Sequence, residues 1–320
     1  MGILYSFCLP QFQGDIMNPQ DRFKDYKGDK CWQAYISEVN QDEDLAAAGL
    51  TKEEAAELRT SDFVFEYVSS EQKELCNEVR DFIMRHEWLA KLPNRPTHRF
   101  TARLKKNGTL AGTIIMATPN AFSNLLGPEN TDKEKLISRG ACISWGPKNL
   151  GSWLIMSSLR WMVENTEFRY FTAYSDPEAK ELGTIYQACN FAYLGQTSGT
   201  SKQYLDPAHP EKGWFSDREF RKKSKYQRYA QAIGIDKATW KGWMKKYSPN
   251  WEIIPEDIKV KIKAEEERYR QSCKERPVPA KHKYVCILGS SPGETKYYKR
   301  LFKKLNPKKA NLPYPQERGK

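Results

Sequence analysis

The stretch YFTAYSDPEAKELGTIYQACNFAYLG, residues 170–195, opens as an alternating aromatic strand over Tyr170 to Tyr174 and breaks at Ser175, Asp176 and Pro177. It resumes as a short apolar helix from Gly183 to Asn190, and a second strand follows. Tyr186 falls in the middle of that helix, with Tyr174, Ser175 and Asp176 at the end of the preceding strand. A phenol, a hydroxyl and a carboxylate gathered where a strand gives way to a helix make either an aromatic core or a site.

Immediately upstream, KLISRGACISW (135–145) reads as another strand, and the apolar spacing from Trp153 to Val163 as a helix, with Gly146, Pro147 and Gly151 marking the turn between them. Such a turn presents free backbone N–H groups and the positive end of the helix dipole, which suits a pyrophosphate. Its glycine spacing is neither a dinucleotide-binding nor a P-loop fingerprint, so a plain turn fits equally well.

Further upstream, HRFTARLKKNGTLAGTIIMA (98–117) predicts an antiparallel hairpin with Asn107-Gly108 as a two-residue turn. DFVFEYV (62–68) alternates like a strand, and residues 69–90 form an amphipathic helix with Ser69 or Ser70 as its N-cap. Residues 44–60 read as one or two helices with a capping box from Thr51 to Glu54. The order is strand, helix, hairpin, strand, turn, helix, strand, helix, strand.

Downstream the character changes near residue 205. Helices are predicted around 222–233, 236–247 and 255–274, then a Pro-rich break, a strand at KYVCILG and a basic end. The organisation expected is an N-terminal extension (1–60), a catalytic domain (61–205) and a basic, mainly helical extension (206–320).

Charge follows the same division. The net +12 arises from 30 Lys and Arg against 14 Asp and Glu in residues 201–320, while the first 200 residues are net acidic. Basic segments interleaved with Tyr and Trp suit a phosphate backbone with stacked bases, so nucleic acid is the expected partner; a solvated tail or a membrane-surface patch is the alternative. RKKSKYQR supplies Arg221, Lys222, Lys223, Lys225 and Arg228 as candidate contacts. YAQAIGIDKATWKGWM (229–244) has the helix, Gly234 turn and helix of a helix-turn-helix, which would turn Lys237, Lys241 and Lys245 to phosphates.

Seven scattered cysteines without a Cys-x-x-Cys pair suggest a reducing compartment, and the four dispersed histidines draw no zinc-type cluster. No stretch is apolar enough to span a membrane, and no basic region leads into an apolar run at the N-terminus, so secretion is not expected. MGILYS matches the N-myristoylation pattern, a loose six-position match that an ordinary apolar N-terminus also explains.

Over roughly residues 62–200 the element order resembles the GNAT acyltransferase superfamily, an α/β (α+β) fold with a central mixed, mostly antiparallel sheet flanked by helices. That resemblance implies a strand that splays from its neighbour, a turn that binds the pyrophosphate of coenzyme A, and a tyrosine on the following short helix that protonates the departing thiolate. Gly146, Asn149, Leu150, Gly151 and Ser152 stand in the turn, and Tyr186 in the tyrosine's place. PTHRFTA, LISRGACIS, PKNLGSW, AYSD followed by GTIYQACNFAYLG, and KHKYV with LPYP are similar to the phage Mom family of DNA-modification proteins.

The Mom resemblance implies transfer of a carbamoylmethyl or acyl-derived group to the exocyclic amine of adenine, protecting DNA from restriction in the cytoplasm of an infected bacterium. It implies Arg139, Ser152, Asp176 and Tyr186 as the core of the site, with Tyr174 and Ser175 beside them. The donor expected is acetyl-CoA or another acyl donor, and any metal requirement is open, as is the oligomeric state, a homodimer included. A conventional acetyltransferase of a protein or small amine, and a non-catalytic DNA-binding protein, are the competing readings.

Overall fold

The fold is described from a computed structural model, which covers residues 26–197, 201–246 and 248–316; MGILYS lies outside them. The chain begins with α1 (Trp32–Ala48) and α2 (Lys52–Glu57), followed by β1 (Phe63–Val68), α3 (Lys73–His86), β2 (Pro96–Leu104) and β3 (Leu110–Ala117). Next come β4 (Glu134–Cys142), α4 (Leu150–Asn165), β5 (Tyr170–Ser175), α5 (Thr184–Ala188) and β6 (Ala192–Gln196). The remainder is β7 (Ser201–Leu205), β8 (Phe215–Ser216), α6 (Lys223–Ala232), α7 (Lys237–Gly242), α8 (Glu256–Ser272), β9 (Lys274–Val278), β10 (His282–Ile287) and α9 (Pro292–Leu305).

Seven strands form the main sheet in the order β1-β2-β3-β4-β5-β10-β6, antiparallel throughout except for the β4–β5 pair. This is the α/β architecture with a mixed, mostly antiparallel sheet that the sequence predicts. β3 is buried along its whole length because α3 and α4 both pack on it, which is why LAGTIIMA lacks the alternation of a half-exposed strand. α4 buries Leu150, Leu154, Ile155, Ser158, Leu159, Met162 and Val163, the spacing of one helical face. Across the sheet Phe171, Ala173 and Phe191 have no exposed surface; burying each of the two phenylalanines contributes about 1.5–3 kcal/mol.

Three local expectations are corrected. The β2–β3 connection is a longer loop, in which Gly108 has positive φ while Asn107 works through its side chain, donating to the Ala48 carbonyl at 2.8 Å and accepting from Thr109 N–H at 3.1 Å. α3 starts at Lys73 behind Gln72, whose side-chain oxygen takes the Ser69 N–H, so neither serine is the cap. α7 stops at Gly242 rather than 247, and Met244 bridges back to Pro249. The capping box is as read: Thr51 Oγ1 accepts from Glu54 N–H, and Glu54 accepts from Thr51 N–H.

The basic C-terminal third divides into two parts. Residues 201–278 form a module with its own three-stranded sheet, β8-β7-β9, and a core of Tyr226, Tyr229, Ala230, Trp240, Ile254 and Ile262. Its two ends pair with each other, Ser201 opposite Val278. The chain then returns to the main sheet: β10 enters between β5 and β6, and α9 packs its Tyr298 and Phe302 against Leu125, Leu126, Tyr170, Val285 and Ile287. The KYVCILG strand is therefore part of the same sheet as the opening stretch.

Candidate active site

The β4–β5 ladder is short. It pairs Glu134 with Tyr170, Lys135 with Phe171 and Leu136 with Thr172, and no pairing follows although β4 continues to Cys142 and β5 to Ser175. β3 holds β4 on one side and β10 holds β5 on the other, so the two strands diverge and open a wedge in the sheet. Glu134 pins the closed end: it is buried and accepts from Thr172 Oγ1 at 2.9 Å and from Ser123 N–H at 2.5 Å.

At the open end, residues 176–183 fold back on themselves. Asp176 caps a short turn by accepting from Glu178 N–H, and its carbonyl accepts from Ala179 and Glu181 N–H. Gly183 has φ +67°, and a Cβ there would lie 2.5 Å from the Tyr284 ring, so only glycine meets both the backbone and the packing requirement. Tyr284 on β10 donates from its phenol to the Leu182 carbonyl and so fastens this loop. α5 begins at once, and its Ile185 lies where any Cβ on Gly151 would fall, 2.7 Å away, which brings α5 against the first turn of α4.

Tyr186 stacks between Phe191 and Tyr284, each with its ring centroid 5.4 Å away. Burial raises its phenol well above the ordinary tyrosine range, and the charges of Glu181 and Glu87 push it in the same direction. Glu181 accepts from Asp176 N–H at 3.1 Å, and burial, against that one hydrogen bond, pushes its carboxyl up to about 7. Glu87 is buried, with a carboxylate oxygen 3.9 Å from Arg139 Nε. Arg139 donates to the carbonyls of Lys91 and Ser138, both at 2.6 Å. Two carboxyls and a guanidinium thus act together on one desolvated phenol, with more acid than base.

The other residues expected here are distributed around that pocket. Asp176 is buried, with one oxygen on the Glu178 amide and the other 2.6 Å from Lys281 Nζ, so it organises the loop and orients Glu181 through its own N–H. Ser175 is buried and faces the Tyr284 phenol. Tyr174 is exposed, with Lys283 Nζ 5.6 Å from its ring centroid. Ser152 turns its hydroxyl back to the Asn149 carbonyl at 3.0 Å, and Asn149 makes no side-chain cap. The first turn of α4 is therefore capped by no side chain of its own N-cap residue, which leaves the amides of Gly151 and Ser152 suited to an anion. Gly146 is held close to Leu150, whose Cδ2 lies 2.7 Å from where a Cβ would be.

Two site residues are absent from the sequence reading. Glu181 sits in an ordinary-looking AKELG, and Glu87 in a helix C-terminus; only the fold buries them. Of the aromatics, Trp145 is buried and stacks on Phe63, and Tyr204 belongs to the 201–278 module, while Phe122 is exposed.

Among the candidate phosphate contacts of the module, Lys225 donates to Tyr269 at 2.7 Å, Arg221 pairs with Asp217, Lys222 with Glu219 at 2.6 Å and Lys245 with Glu252 at 3.7 Å. Arg228 lines a cavity of about 300 Å³ with Glu265 and Arg268, and Lys223, Lys237 and Lys241 are exposed.

The model of the Mom protein family matches residues 65–247. No curated protein matches the chain. Solved structures similar to it include a ribosomal-protein-S5-alanine acetyltransferase from Vibrio fischeri, at 15% identity and TM-score 0.26, matched over 39% of this chain and 59% of that one. An IAA acetyltransferase from Bacillus cereus matches at 12% identity and TM-score 0.33, over 71% of this chain and 99% of its own. A Bacillus subtilis acetyltransferase in complex with CoA matches at 10% and 0.31, over the same shares. The β4–β5 pair splays apart, with the α4 turn and α5 at its open end.

Proposed function

The chain belongs to the Mom protein family, and on that premise we propose that it transfers a carbamoylmethyl or an acyl-derived group to the N6 amine of adenine in DNA, protecting the DNA from restriction. The observation that carries this reading is the match of residues 65–247 to the Mom family, supported by a Tyr186 phenol that lies within reach of the Glu181 charge.

Adenine's amine is delocalised into its ring and nucleophilic only as its proton leaves. Glu181, its carboxyl raised by burial to about 7, is placed to exchange a proton near neutral pH, as a general base there requires. As the amine nitrogen bonds to the donor's electrophilic carbon, its proton passes to the Glu181 carboxylate. The bond from that carbon to the leaving atom breaks, its electron pair staying on that atom, and Tyr186 passes its phenolic proton to it. The proton held by Glu181 then replaces the one the leaving group takes away, so both residues finish as they began. Arg139 offsets the acid excess of Glu87 and Glu181 and keeps the pocket from neutralising entirely. Asp176 is a positioning residue, acting through the Glu181 hydrogen bond and the Lys281 pair.

For an acyl product, an acyl thioester such as acetyl-CoA would supply the electrophilic carbon; a carbamoylmethyl group would need a donor whose leaving atom sits on the methylene carbon. The residues to hold its phosphates are Leu150, Gly151 and Ser152 in the first turn of α4, with Gly146 and Asn149 before it. Within a duplex the adenine amine is engaged in pairing, so the base must leave the stack to reach Glu181. Phe122, half-exposed, is the aromatic available to replace its stacking neighbour.

The test is mass spectrometry of nucleosides from plasmid DNA of bacteria expressing the protein. A new adenine derivative, absent with Tyr186→Phe and with Asp176→Ala, is the expected result. Unmodified DNA from soluble wild-type protein that acetylates a protein or polyamine would establish the conventional acetyltransferase instead.

A further inference from the structure

We propose that α9 and the segment following it are the surface that grips the phosphate backbone of duplex DNA, in place of the α6–α7 helix pair. The inference rests on the DNA substrate proposed above and adds the face that meets it.

The spacing of the cations is the first observation. Lys296, Lys299, Arg300, Lys303 and Lys304 stand at i, i+3, i+4, i+7 and i+8, one continuous stripe of a helix, and all are exposed. Lys308 and Lys309 extend it beyond the helix, also exposed. The opposite face carries Tyr298 and Phe302, buried on β5 and β10. From Lys296 to Lys304 the stripe is about 12 Å long at 1.5 Å per residue, a distance over which one strand of duplex presents about four phosphates.

Pairing is the second observation. Among the described residues, no ion pair is formed by any of these seven cations. The one acid of α9, Glu294, stands at the helix start and is held by Arg169 at 2.8 Å and by Ser290, which pull its carboxyl down to about 2. α8 is the control within the same third of the chain. It interleaves both signs and pairs Lys259 with Glu256, Lys261 with Asp257, Arg268 with Glu265 and Arg270 with Glu266 along its own surface. A solvated helix looks like α8; α9 keeps one sign and leaves it unneutralised.

The third observation is Tyr297, 61% exposed beside the stripe, an aromatic ring placed for a sugar or an unstacked base. A membrane surface is disfavoured as partner, because the apolar face that would enter it is already buried on the sheet. The α6–α7 pair is poorer in every respect: α7 has six residues, and four of the eight cations singled out in this module are committed to neighbouring side chains.

The experiment compares full-length wild type with Lys296→Gln/Lys299→Gln/Arg300→Gln/Lys303→Gln and with Lys223→Gln/Lys237→Gln/Lys241→Gln, measuring affinity for a short duplex across a salt series. The α9 variant is expected to bind more than about 10-fold more weakly near 100 mM salt and to lose about 2 to 4 from the slope of log affinity against log salt. The module variant should stay within about 3-fold of wild type, in line with fewer phosphate contacts. As a check needing no variant, lysine acetylation of wild type should slow at residues 296, 299 and 303 when duplex is added. Unchanged binding by the α9 variant, or protection at residues 223, 237 and 241 instead, would overturn the assignment while leaving the adenine reading intact. Wild type that binds no duplex, or binds anionic vesicles in preference to it, overturns both.

Discussion

Two clusters of one Arg and two Glu lie beside the main sheet and do opposite things. Near the β1 edge, Arg103 sits between Glu66, at 3.1 Å, and Glu78, which it holds bidentately at 3.0 and 2.5 Å, with the Gly108 carbonyl taking another N–H at 3.1 Å. At the open end of the β4–β5 wedge, Arg139 spends its donors on carbonyls and stands 3.9 Å from Glu87, while Glu181 has a single backbone N–H. Each has one guanidinium for two carboxyls, but the first joins β1, β2 and α3 with both carboxylates bonded directly to Arg103, whereas the second leaves a carboxyl near 7 and a phenol that keeps its proton. Carboxylates bonded directly to a guanidinium fasten elements together, whereas a desolvated carboxyl without such a bond holds a proton that can be moved.

The largest test of that contrast is Tyr186→Phe. Adenine modification should fall by about 10³-fold with the thermal midpoint little changed, since the ring still stacks on Phe191 and Tyr284 and only the donor is lost. Glu181→Gln comes next. At pH 7 the rate should fall by about 10²-fold, and the rise of wild-type rate through pH 7, where Glu181 ionises, should flatten in the variant's pH profile.

Stability should move in the other direction with the same substitution. Glu181 has a folded pKa near 7, above its unfolded value of 4.5, so its contribution to stability is fully present below about 4.5 and is lost as pH rises through 7. Glu181→Gln should therefore be more stable than wild type at pH 8 and show less decline between pH 5 and 8 in urea titrations.

At the fastener the expectations invert. Arg103→Met should lower unfolding free energy by about 2–3 kcal/mol, because Glu78 is left half-buried and unpaired, yet leave the rate per folded molecule unchanged. Glu66→Gln, on the exposed side of the same guanidinium, should cost under about 1 kcal/mol, readable as a small shift of the urea midpoint. If Arg103→Met abolished catalysis in folded protein, or Tyr186→Phe acted mainly by unfolding it, the division of labour would be lost.

Much of this was legible in residues 170–195. Alternation in YFTAY, the break at Asp176-Pro177 and the helix around Tyr186 correspond to β5, a capped turn and α5, because each is decided by neighbours in sequence. The uncapped turn before α4 and the Thr51 capping box are local in the same sense. What sequence could not supply is partnership at a distance. KYVCILG announces a strand, but nothing in it says that His282 will pair with Ser175. Glu87 and Glu181 resemble any surface glutamate until the fold brings both within reach of the Tyr186 phenol. The cations of residues 221–245 promised a binding face by composition, whereas their availability depends on where Asp217, Glu219 and Glu252 fall once folded.

The closed ends of the 201–278 module carry one more consequence. β6 and β10 are already antiparallel neighbours, joined at Gln196 and His282 and, just beyond, by Thr197 N–H to the Lys281 carbonyl at 2.8 Å. From the sheet's standpoint, everything between Thr197 and Lys281 is one long hairpin loop, and its closure entropy grows only with the logarithm of its length. Such a loop can be lengthened, shortened or exchanged for another that closes over the same two residues at a cost of about 0.6 kcal/mol per doubling. The module is thus an insertion between two paired strands, tied to the rest of the chain besides by Arg276 of β9, which pairs with Glu178 in the loop before α5.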